Sequence, residues 1–480
     1  MSDLELKLWT VTLAAVSLTA SLLALSHLLL RHKDYRSAAF WAALVLFTPL
    51  LGPLFYVFFG INLVRRRGKR YRNSMAEPWR DPVPEHPLPF TPNSCTAQEH
   101  QQLARTLDRI SRFCFTLGNT VEPLRNGDEA MTRMLEAVRA AKQSVTLASY
   151  IFEARGIGAE FVRELGAAVQ RGVQVRVMVD DAGTRYSWPS VIGALKAAGV
   201  PARRFMPSRM LLRLITMNLR NHRKILVVDG ATAFTGGMNI REGNMLSRNP
   251  KHPVHDMHFQ VTGPVASQLQ RVFAEDWAFC TGEQLQGPLW FPDLSSTGTV
   301  SALGIVDGPD EDLEVMPAAF FAALNAAREE VRIITPYFLP NPILMAALRL
   351  CAVRGVNVTI LTPSCNNIPF VAWAARTLYP DLLDSGCRVF ESPAPFDHSK
   401  YFLIDGVWSF IGSTNWDPRS LRLNFEFNLA CHDATLAQKL SAEMDARLAV
   451  SQEITPTMLS ATPLWQQARN GCARLFIPFL

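Results

Sequence analysis

Two long stretches without charged residues lie near the beginning of this 480-residue chain. Residues 9–30 and residues 38–64 contain no Asp, Glu, Lys or Arg. As helices rising 1.5 Å per residue they would be about 33 and 40 Å long, enough to cross a hydrocarbon core of roughly 30 Å. We therefore expect residues 1–72 to form a transmembrane hairpin of two helices.

The alternative explanation of the first stretch is a cleaved signal peptide. The stretch is too long for one, is preceded by a single basic residue, Lys7, and lacks a small-residue cleavage site. In the second stretch, Pro49, Gly52 and Pro53 predict a kink, which a membrane helix tolerates where neighbours satisfy the freed backbone groups. His27 in the first stretch is expected to reach the membrane interface or a neighbouring helix.

Basic residues flank the two stretches unequally. Six Lys and Arg lie within residues 65–72, whereas the connection between the stretches carries Arg31, Lys33 and Arg36. By the positive-inside rule, this difference puts the chain after the second stretch in the cytoplasm, together with the amino terminus.

The pattern changes after the basic residues. Residues 73–98 contain six prolines, which exclude a regular helix and predict an extended linker. Beyond it, short β-branched runs alternate with helical stretches such as 128–141, for which Asp128 is the expected N-cap. This is the βαβ pattern of a largely parallel sheet covered by helices, and we expect two α/β halves at 99–295 and 296–480.

These two halves share a sequence pattern. The run Val145 to Phe152 in the first half corresponds to the run Val331 to Phe338 in the second. An Arg-Gly-Val tripeptide follows each run, at 171–173 and 354–356. Because the repeat is far longer than a solenoid unit, it indicates the duplication of a whole α/β half.

A closer correspondence between the halves carries candidate chemistry. Each half has a His-x-Lys-x4-Asp-Gly motif, followed by a glycine and, three residues later, an asparagine. One such motif arises by chance in roughly a few chains per hundred, but chance does not explain two with matching tails. The first copy consists of His222, Lys224, Asp229, Gly230, Gly236 and Asn239, and the second of His398, Lys400, Asp405, Gly406, Gly412 and Asn415.

The apolar, β-branched run after each histidine predicts a strand. The alternation of side chains in an extended chain then puts the His and the Lys of each motif on one face. Each motif ends in an Asp-Gly dipeptide, which is typical of hairpin turns. Asp229 and Asp405 are therefore expected to support these turns and not to touch a substrate.

The paired motifs resemble the HKD motifs of the phospholipase D superfamily, and look like those of its bacterial cardiolipin synthase branch. The resemblance extends to the membrane segment, because this branch also begins with two membrane helices. It implies that two phospholipase D-like α/β halves pack as a pseudo-dimer, with the histidines facing each other across one site. It also implies that the partners are the lipid bilayer and its phospholipids, above all phosphatidylglycerol, at the inner membrane of a bacterial cell.

The side chains of the motifs suit phosphoryl transfer. A neutral imidazole can attack phosphorus to give a phospho-histidine while a protonated imidazole donates to the departing alkoxide, and no metal or other cofactor is required. The two lysines supply positive charge, and Asn239, Ser413 and Asn415 supply donors for phosphoryl oxygens. By resemblance, His222 is the nucleophile and His398 is the general acid and base.

In the superfamily, a further carboxylate often orients each histidine. Glu426 stands 28 residues after His398, in a stretch whose polar residues share one face. Asp256 lies in a similar alternating stretch but stands 34 residues after His222, so its equivalence to Glu426 stays open. We include both as supporting residues.

Two local features have alternative explanations. His252, His255 and His258 recur every third residue and could suggest a metal cluster, but residues three apart in a strand face opposite sides, so we expect no metal site. Gly237 stands where the second half has Ser413. This difference fits either distinct roles for the halves or neutral packing.

A membrane-dipping helix is predicted just before the first motif, from about residue 208 to residue 220. Its basic stripe would contact anionic lipid phosphates while the apolar remainder lies in the headgroup layer. The alternative is an ordinary helix packed in the α/β core. The stripe consists of Arg209, Arg213, Thr216 and Arg220.

Composition separates the remaining function classes. The net charge of +6 equals the charge of the basic run at 65–72, so the rest of the chain is balanced. Balance argues against an endonuclease and predicts no nucleic-acid partner.

The resemblance favours transfer between two phosphatidylglycerol molecules to give cardiolipin, whereas hydrolysis to phosphatidic acid would use the same residues and stays open. The eight isolated cysteines are interpreted as reduced thiols, and the sequence predicts no oligomeric state.

Overall fold

The structure is a computed structural model that describes residues 3–31, 35–57, 96–207, 220–308 and 314–477. The described residues divide into an amino-terminal unit, up to residue 57, and a larger unit from residue 96 onwards. Each unit is compact in itself.

Three apolar helices build the amino-terminal unit. They are α1 (Asp3–Arg31), α2 (Tyr35–Phe47) and α3 (Leu51–Phe55). Within α1, the segment Lys7–Leu30 has a mean hydropathy of 2.0 and is long and apolar enough to cross a membrane. Of the helices in the described ranges, it is the one that meets both criteria.

The second apolar stretch is broken where the sequence predicts a kink. Helix α2 ends at Phe47 and α3 begins at Leu51, so the predicted kink at the Pro and Gly residues is confirmed. With 13 residues, α2 is about 20 Å long and by itself too short to cross a bilayer. The part of this stretch beyond residue 57 lies outside the described residues.

Polar groups of the three helices pair with one another. The Ser21 hydroxyl of α1 donates to the carbonyl oxygen of Pro49, at 3.2 Å, in the break between α2 and α3. His27 Nδ1 lies 2.9 Å from the hydroxyl of Tyr56. His27 thus reaches a neighbouring helix, as expected, and α1 satisfies backbone polarity that the break exposes.

The larger unit contains both halves of the duplication. The first half comprises α4 (Thr96–Ile110), β1 (Thr116–Arg125), α5 (Asn126–Ala140), β2 (Ser144–Ser149), α6 (Ile157–Gln170), β3 (Gln174–Asp180), α7 (Val191–Ala197), β4 (Ala202–Phe205), β5 (Arg220–Asn221), β6 (Ile225–Val228), β7 (Thr232–Gly236), β8 (Val254–His255), β9 (Met257–Thr262) and α8 (Ala266–Thr281). The second half comprises β10 (Val300–Asp307), α9 (Val315–Ala326), β11 (Glu330–Ile334), α10 (Pro342–Val353), β12 (Asn357–Pro363), α11 (Pro369–Arg376), α12 (Tyr379–Leu383), β13 (Arg388–Ser392), β14 (Phe396–Asp397), β15 (Tyr401–Ile404), β16 (Trp408–Gly412), β17 (Asn424–His432), α13 (Ala434–Leu448), β18 (Gln452–Glu453), α14 (Pro456–Ser460) and α15 (Leu464–Leu475).

One continuous sheet joins the two halves. From its centre outwards, the first half has the strand order β1-β9-β7-β6-β2-β3-β4, and the second repeats it as β10-β17-β16-β15-β11-β12-β13. Strands β1 and β10 pair antiparallel and connect the halves. Strand β10 is buried along its whole length, which places the core of the unit around this junction. The expectation of two α/β halves is confirmed.

The sheet is mixed, so the expectation of a largely parallel sheet is wrong. Among the described strands of the main sheet, β2-β3-β4 and β11-β12-β13 pair in parallel. The Asp-Gly turns instead produce the antiparallel hairpins β6-β7 and β15-β16. Apolar runs reveal strands but do not reveal their direction, which turns and crossovers decide.

Several predicted local features also change. Helix α4 begins at Thr96, inside the predicted linker 73–98. Asp128 is not the N-cap of α5, because the helix already begins at Asn126; its carboxylate instead accepts the backbone N–H of Leu246 at 2.9 Å. The predicted membrane-dipping helix lies outside the described residues, except that its last residue, Arg220, belongs to strand β5.

Both motif aspartates fasten their hairpin turns to the adjacent strand. The Asp229 carboxylate accepts the backbone N–H groups of residues 142–144 at 2.7–3.0 Å, just before and at the start of β2. Asp405 accepts those of residues 328–330 at 2.8–3.0 Å, next to β11. Both aspartates have φ of 50°, a left-handed conformation common in such turns.

We predict that Asp405→Ala lowers the free energy of unfolding by about 2 kcal/mol or more, because three backbone N–H groups lose a charged acceptor. Thermal unfolding of the protein in detergent measures the loss. Asp293→Ala, at an exposed position, serves as the matched control. An unchanged unfolding temperature in Asp405→Ala would contradict the structural role.

Candidate active site

The histidines of the two motifs lie at the seam between the halves. Strand β5, just before His222, pairs in parallel with β17 of the second half, and the N–H of His222 donates to Phe425 O at 2.9 Å. In the same way β14, just before His398, pairs with β8 of the first half, and the N–H of His398 donates to His255 O at 2.7 Å. The backbone of each motif is therefore held by the opposite half.

The carboxylates that orient the histidines are exchanged between the halves. His222 Nδ1 lies 3.0 and 3.1 Å from the two carboxylate oxygens of Glu426. His398 Nδ1 lies 2.8 Å from Asp256 Oδ2. Glu426 and Asp256 are 0% and 1% exposed, so these charges have no access to bulk water. Each histidine can donate its Nδ1 proton to the carboxylate and present Nε2 to a substrate.

Strand register shows that Asp256 and Glu426 are equivalent, a question the sequence left open. Gly236 of β7 is paired with His258 of β9, and Gly412 of β16 is paired with Asn428 of β17. The two carboxylates stand two residues before these partners in the sequence. The different spacings of 34 and 28 residues therefore reflect six extra residues in the first half, between β7 and β9.

Neighbouring side chains hold Glu426. The Ser413 hydroxyl donates to Glu426 Oε2 at 2.5 Å, and Asn424 Nδ2 donates to Oε1 at 3.1 Å. Ser413 is fully buried, and a direct role of its hydroxyl toward a substrate stays a prediction. Its partner is the carboxylate behind His222.

Gly237, at the position of Ser413 in the first half, is explained by packing against Asp256. A Cβ atom on Gly237 would collide with the Asp256 carboxylate. The shorter aspartate holds its carboxylate nearer to its own backbone, in the space that the Ser413 side chain fills in the second half. Each half thus positions a carboxylate, the first with Gly237 and Asp256 and the second with Ser413 and Glu426.

The asparagines of the motif tails bind within their own halves. Asn239 Oδ1 accepts the backbone N–H of Ile151 at 3.0 Å, two residues after the end of β2. Asn415 Nδ2 donates to Ser420 Oγ at 3.0 Å. These bonds order the segments that follow β2 and β16. A direct role of either amide toward a substrate stays a prediction.

Two buried lysines complete the cluster. Lys224 Nζ donates to the carbonyl oxygen of its own His222 at 2.6 Å, and Lys400 Nζ donates to that of His398 at 2.5 Å. Burial lowers the pKa of Lys224 to about 7 and the pKa of Lys400 to about 8, although Glu426 and Asp256 oppose the shift. Ammonium groups this easily deprotonated gain strongly from an anionic ligand.

The electrostatics of the site connect all four motif side chains. Burial lowers the pKa of His222, and burial together with Lys400 lowers the pKa of His398 to about 4. Each lysine also lowers the pKa of the histidine in the opposite half, so the two motifs share one site. Burial opposes ionisation of Glu426 and Asp256, but the histidines and lysines outweigh it and lower the pKa of both carboxyls.

Aromatic side chains that the motifs do not reveal lie beside both histidines, and the residue between His222 and Lys224 forms a buried ion pair. The Tyr150 ring lies edge-on 5.2 Å from the His222 ring, and the Tyr337 ring lies 6.1 Å from the His398 ring. Both tyrosines lie near the ends of the duplicated apolar runs, just after the parallel strands β2 and β11. Their similar positions in the two runs were the signal from which the sequence could have identified them. Arg223, between His222 and Lys224, is buried and bonds both Asp276 oxygens at 2.7 Å.

The histidines considered as a metal cluster are separated in the fold. His255 lies in β8, where its Nδ1 is 3.2 Å from Asn126 Oδ1, while His258 is buried in β9 and His252 is exposed. Among the residues that the structure describes, no three His, Cys, Asp or Glu side chains are grouped as metal ligands.

Comparison with known families gives matches over both halves and over the amino terminus. Residues 134–277 and 320–448 match the family described as "Cardiolipin synthase, PLD-like domain". Residues 19–60 match the family described as "Phospholipase_D-nuclease N-terminal".

Relatives and a solved structure match over most of the chain. The major cardiolipin synthase ClsA of Bacillus subtilis is 30% identical, with 96% of this chain and 97% of that protein covered. A cardiolipin synthase of Staphylococcus aureus is 28% identical, with 96% and 94% covered. The crystal structure of phosphatidylserine synthase from Haemophilus influenzae has the same fold, with a TM-score of 0.60 at 14% identity over 79% of this chain and 100% of that one.

We predict that Gly237→Ala lowers turnover about a hundredfold, because the added methyl displaces the Asp256 carboxylate that orients His398, and such misplacement is costly. The measurement is the steady-state rate of the folded, detergent-solubilised variant. Gly193→Ala, in helix α7, is the control, because a Cβ there meets open space. Full activity in Gly237→Ala would show that Asp256 tolerates displacement.

Proposed function

The chain belongs to the family of phospholipase D-like cardiolipin synthases, and we propose that it transfers a phosphatidyl group from one phosphatidylglycerol to another through a phospho-histidine. The products are cardiolipin and glycerol. The observation that supports this most directly is the exchanged pairing of His222 with Glu426 and of His398 with Asp256. It gives two oriented imidazoles and two lysines around one position for a phosphodiester.

In the first half of the reaction, His222 Nε2 attacks the phosphorus of the donor lipid. The new P–N bond replaces the bond from phosphorus to the glycerol oxygen, and His398 gives that oxygen its proton. Glu426 holds the Nδ1 proton of His222, which favours the tautomer with a nucleophilic Nε2. Lys224 and Lys400 stabilise the phosphoryl oxygens as their charge redistributes.

In the second half of the reaction, neutral His398 takes a proton from the hydroxyl of a second phosphatidylglycerol. The resulting oxygen attacks phosphorus, the P–N bond breaks, and His222 is regenerated. The proton taken up by His398 replaces the one it gave to glycerol, so the site returns to its starting state. The negative charge of the bound phosphodiester favours protonated His398, opposing the effects of burial and of Lys400.

The membrane arrangement follows from the amino-terminal sequence. Helix α1 meets the requirements for a membrane span, and we place both halves on the cytoplasmic side of the inner membrane of a bacterial cell. A multi-pass arrangement would need the second apolar stretch, residues 38–64, to cross as well. Phosphatidylglycerol is a membrane lipid, so a catalytic unit attached to the membrane would meet this substrate at the membrane surface.

The product formed from phosphatidylglycerol tests the function. Purified protein in detergent micelles should convert it to cardiolipin and glycerol in equal amounts. Phosphatidic acid as the main product would instead identify a hydrolase that uses the same residues.

We predict that His222→Ala and His398→Ala each abolish cardiolipin formation, but that they differ on a short-chain phosphatidyl ester of p-nitrophenol. This leaving group departs without a general acid, so His398→Ala should still release about one equivalent per protein in a burst. His222→Ala should release none. The exposed His252→Ala is the control for loss of a histidine. If His222→Ala gave the burst and His398→Ala did not, His398 would be the nucleophile and His222 the general acid.

We predict that kcat/KM falls as pH rises above about 7, the lower of the two lysine pKa values. Lys224 and Lys400, with pKa values of about 7 and about 8 in the free protein, bind an anion while protonated and lose that charge at higher pH. Bound phosphate raises both pKa values, so kcat should fall at a higher pH than kcat/KM. Steady-state rates over pH 6–10 in neutral detergent measure both pH profiles. If kcat and kcat/KM fell at the same pH, the prediction would be contradicted.

A further inference from the structure

The two halves of the site differ in the residue that stands two positions before each motif histidine. Strands β5 and β14 occupy equivalent places just before the two motif histidines. Arg220 of β5 therefore corresponds to Phe396 of β14, at the same offset of 176 residues as the histidines themselves. The Phe396 ring lies 5.8 Å from the His398 ring. Apart from the paired tyrosines, this position is basic in one half and aromatic in the other.

A second arginine reaches the same place from the other half. Arg419 lies in the loop after β16, where its N–H donates to Asp417 Oδ1 at 2.9 Å. The carbonyl oxygen of Arg419 accepts the N–H of Asn424 at 3.0 Å, and Asn424 is the strand partner of Arg220. The backbone thus fixes two arginines from different halves next to each other. Both are half-buried.

Electrostatic effects agree with this proximity. Burial and then the positive charge of Arg220 lower the pKa of Arg419, while the Tyr150 hydroxyl acts in the opposite direction. Both arginines also favour ionisation of Tyr150, whose pKa burial raises to about 12. Because the Tyr150 ring touches His222, the arginine pair lies beside the proposed nucleophile.

Two buried carboxyls, Asp180 and Asp417, lie near the arginine pair. Asp180 accepts the N–H of Asn221 at 2.8 Å, and Asp417 accepts those of Arg419 and Ser420 at 2.9 Å. Burial raises the pKa of both carboxyls to about 6, so they hold their protons more readily than exposed aspartates do. Two half-buried guanidinium groups of like charge in such surroundings suit a shared anion.

The proposed reaction supplies a suitable anion. Two phosphates must be in the site: the donor phosphate, which His222 attacks between the lysines, and the phosphate of the acceptor phosphatidylglycerol, which does not react. The acceptor phosphate is separated from the attacking hydroxyl by the three carbons of its glycerol, so it must lie close to the donor phosphate but outside the lysine pair.

We propose that Arg220 and Arg419 together bind the unreactive phosphate of the acceptor lipid. The inference rests on the proposed synthase function and deepens it. A guanidinium group can donate two parallel hydrogen bonds to the oxygens of a phosphate. Binding of this kind would orient the acceptor hydroxyl toward the phosphatidyl-enzyme. Water and glycerol lack that phosphate, so the arginines favour a lipid acceptor over both. Arg220 and Arg419 are in this sense residues that determine acceptor specificity.

Two reactions of the same enzyme separate acceptor binding from donor chemistry. Cardiolipin formation needs the second lipid phosphate. Exchange of radiolabelled glycerol into phosphatidylglycerol needs only formation of the phosphatidyl-enzyme and its return to glycerol. Both rates are measured in the same neutral micelles, so attraction to a charged surface affects neither.

Arg220→Gln and Arg419→Gln should each lower cardiolipin formation about ten- to a hundredfold, the range for a lost charged hydrogen bond, while glycerol exchange stays close to the parent rate. Arg220→Lys and Arg419→Lys should recover part of the loss. Arg422→Gln is the matched control, since this exposed arginine of the same loop lies 3.8 Å from Glu314 and should leave both reactions unchanged.

Equal losses in the two reactions would overturn the proposal, because the arginines would then serve the donor phosphate or the fold. Unchanged cardiolipin formation in both Gln variants would overturn it as well. A parent protein that exchanges glycerol but yields no cardiolipin would refute the proposed function itself, before any variant is compared.

Discussion

Each histidine of the site depends on a carboxylate from the other half. Glu426 is 204 residues away from His222 in sequence and bonds it directly, and Asp256 does the same for His398. Neither half could orient its own imidazole by these contacts. The continuous sheet, in which β1 pairs with β10, therefore does more than join two domains, because a shift of one residue in β17 would turn Glu426 to the opposite face.

Burial makes the cluster sensitive to charge. Two lysines, two histidines and two carboxylates lie where water has little access, so the pKa of each lysine is low and the imidazoles are held neutral. A phosphodiester anion adds the negative charge that restores both ammonium groups. In the proposed mechanism, binding and activation of the substrate are then one electrostatic event, because the phosphate charge that the lysines bind also raises the pKa of His398, the proposed acid.

The sequence revealed the motifs but could not reveal how they pair. The Asp-Gly turns and the kink near Pro49 depend on local backbone chemistry, and both appear in the structure as expected. Strand direction and the exchange of carboxylates depend on contacts between distant residues, which alternation does not encode. The six extra residues before Asp256 concealed its equivalence to Glu426, which only strand register restored.

A duplicated fold begins with two equal halves, whereas a transfer between two lipids needs unequal neighbours for donor and acceptor. The two halves are alike in the residues that the proposed chemistry needs, because each contributes a histidine, a lysine and a carboxylate. The carboxylate is positioned differently in each half, with Ser413 beside Glu426 and Gly237 beside Asp256. The halves differ two residues before each histidine, where the first half has Arg220 and the second has Phe396. In the proposed mechanism both histidines act on the same phosphorus, so the paired motifs do not distinguish donor from acceptor. We therefore infer that the flanking residues distinguish the two lipids.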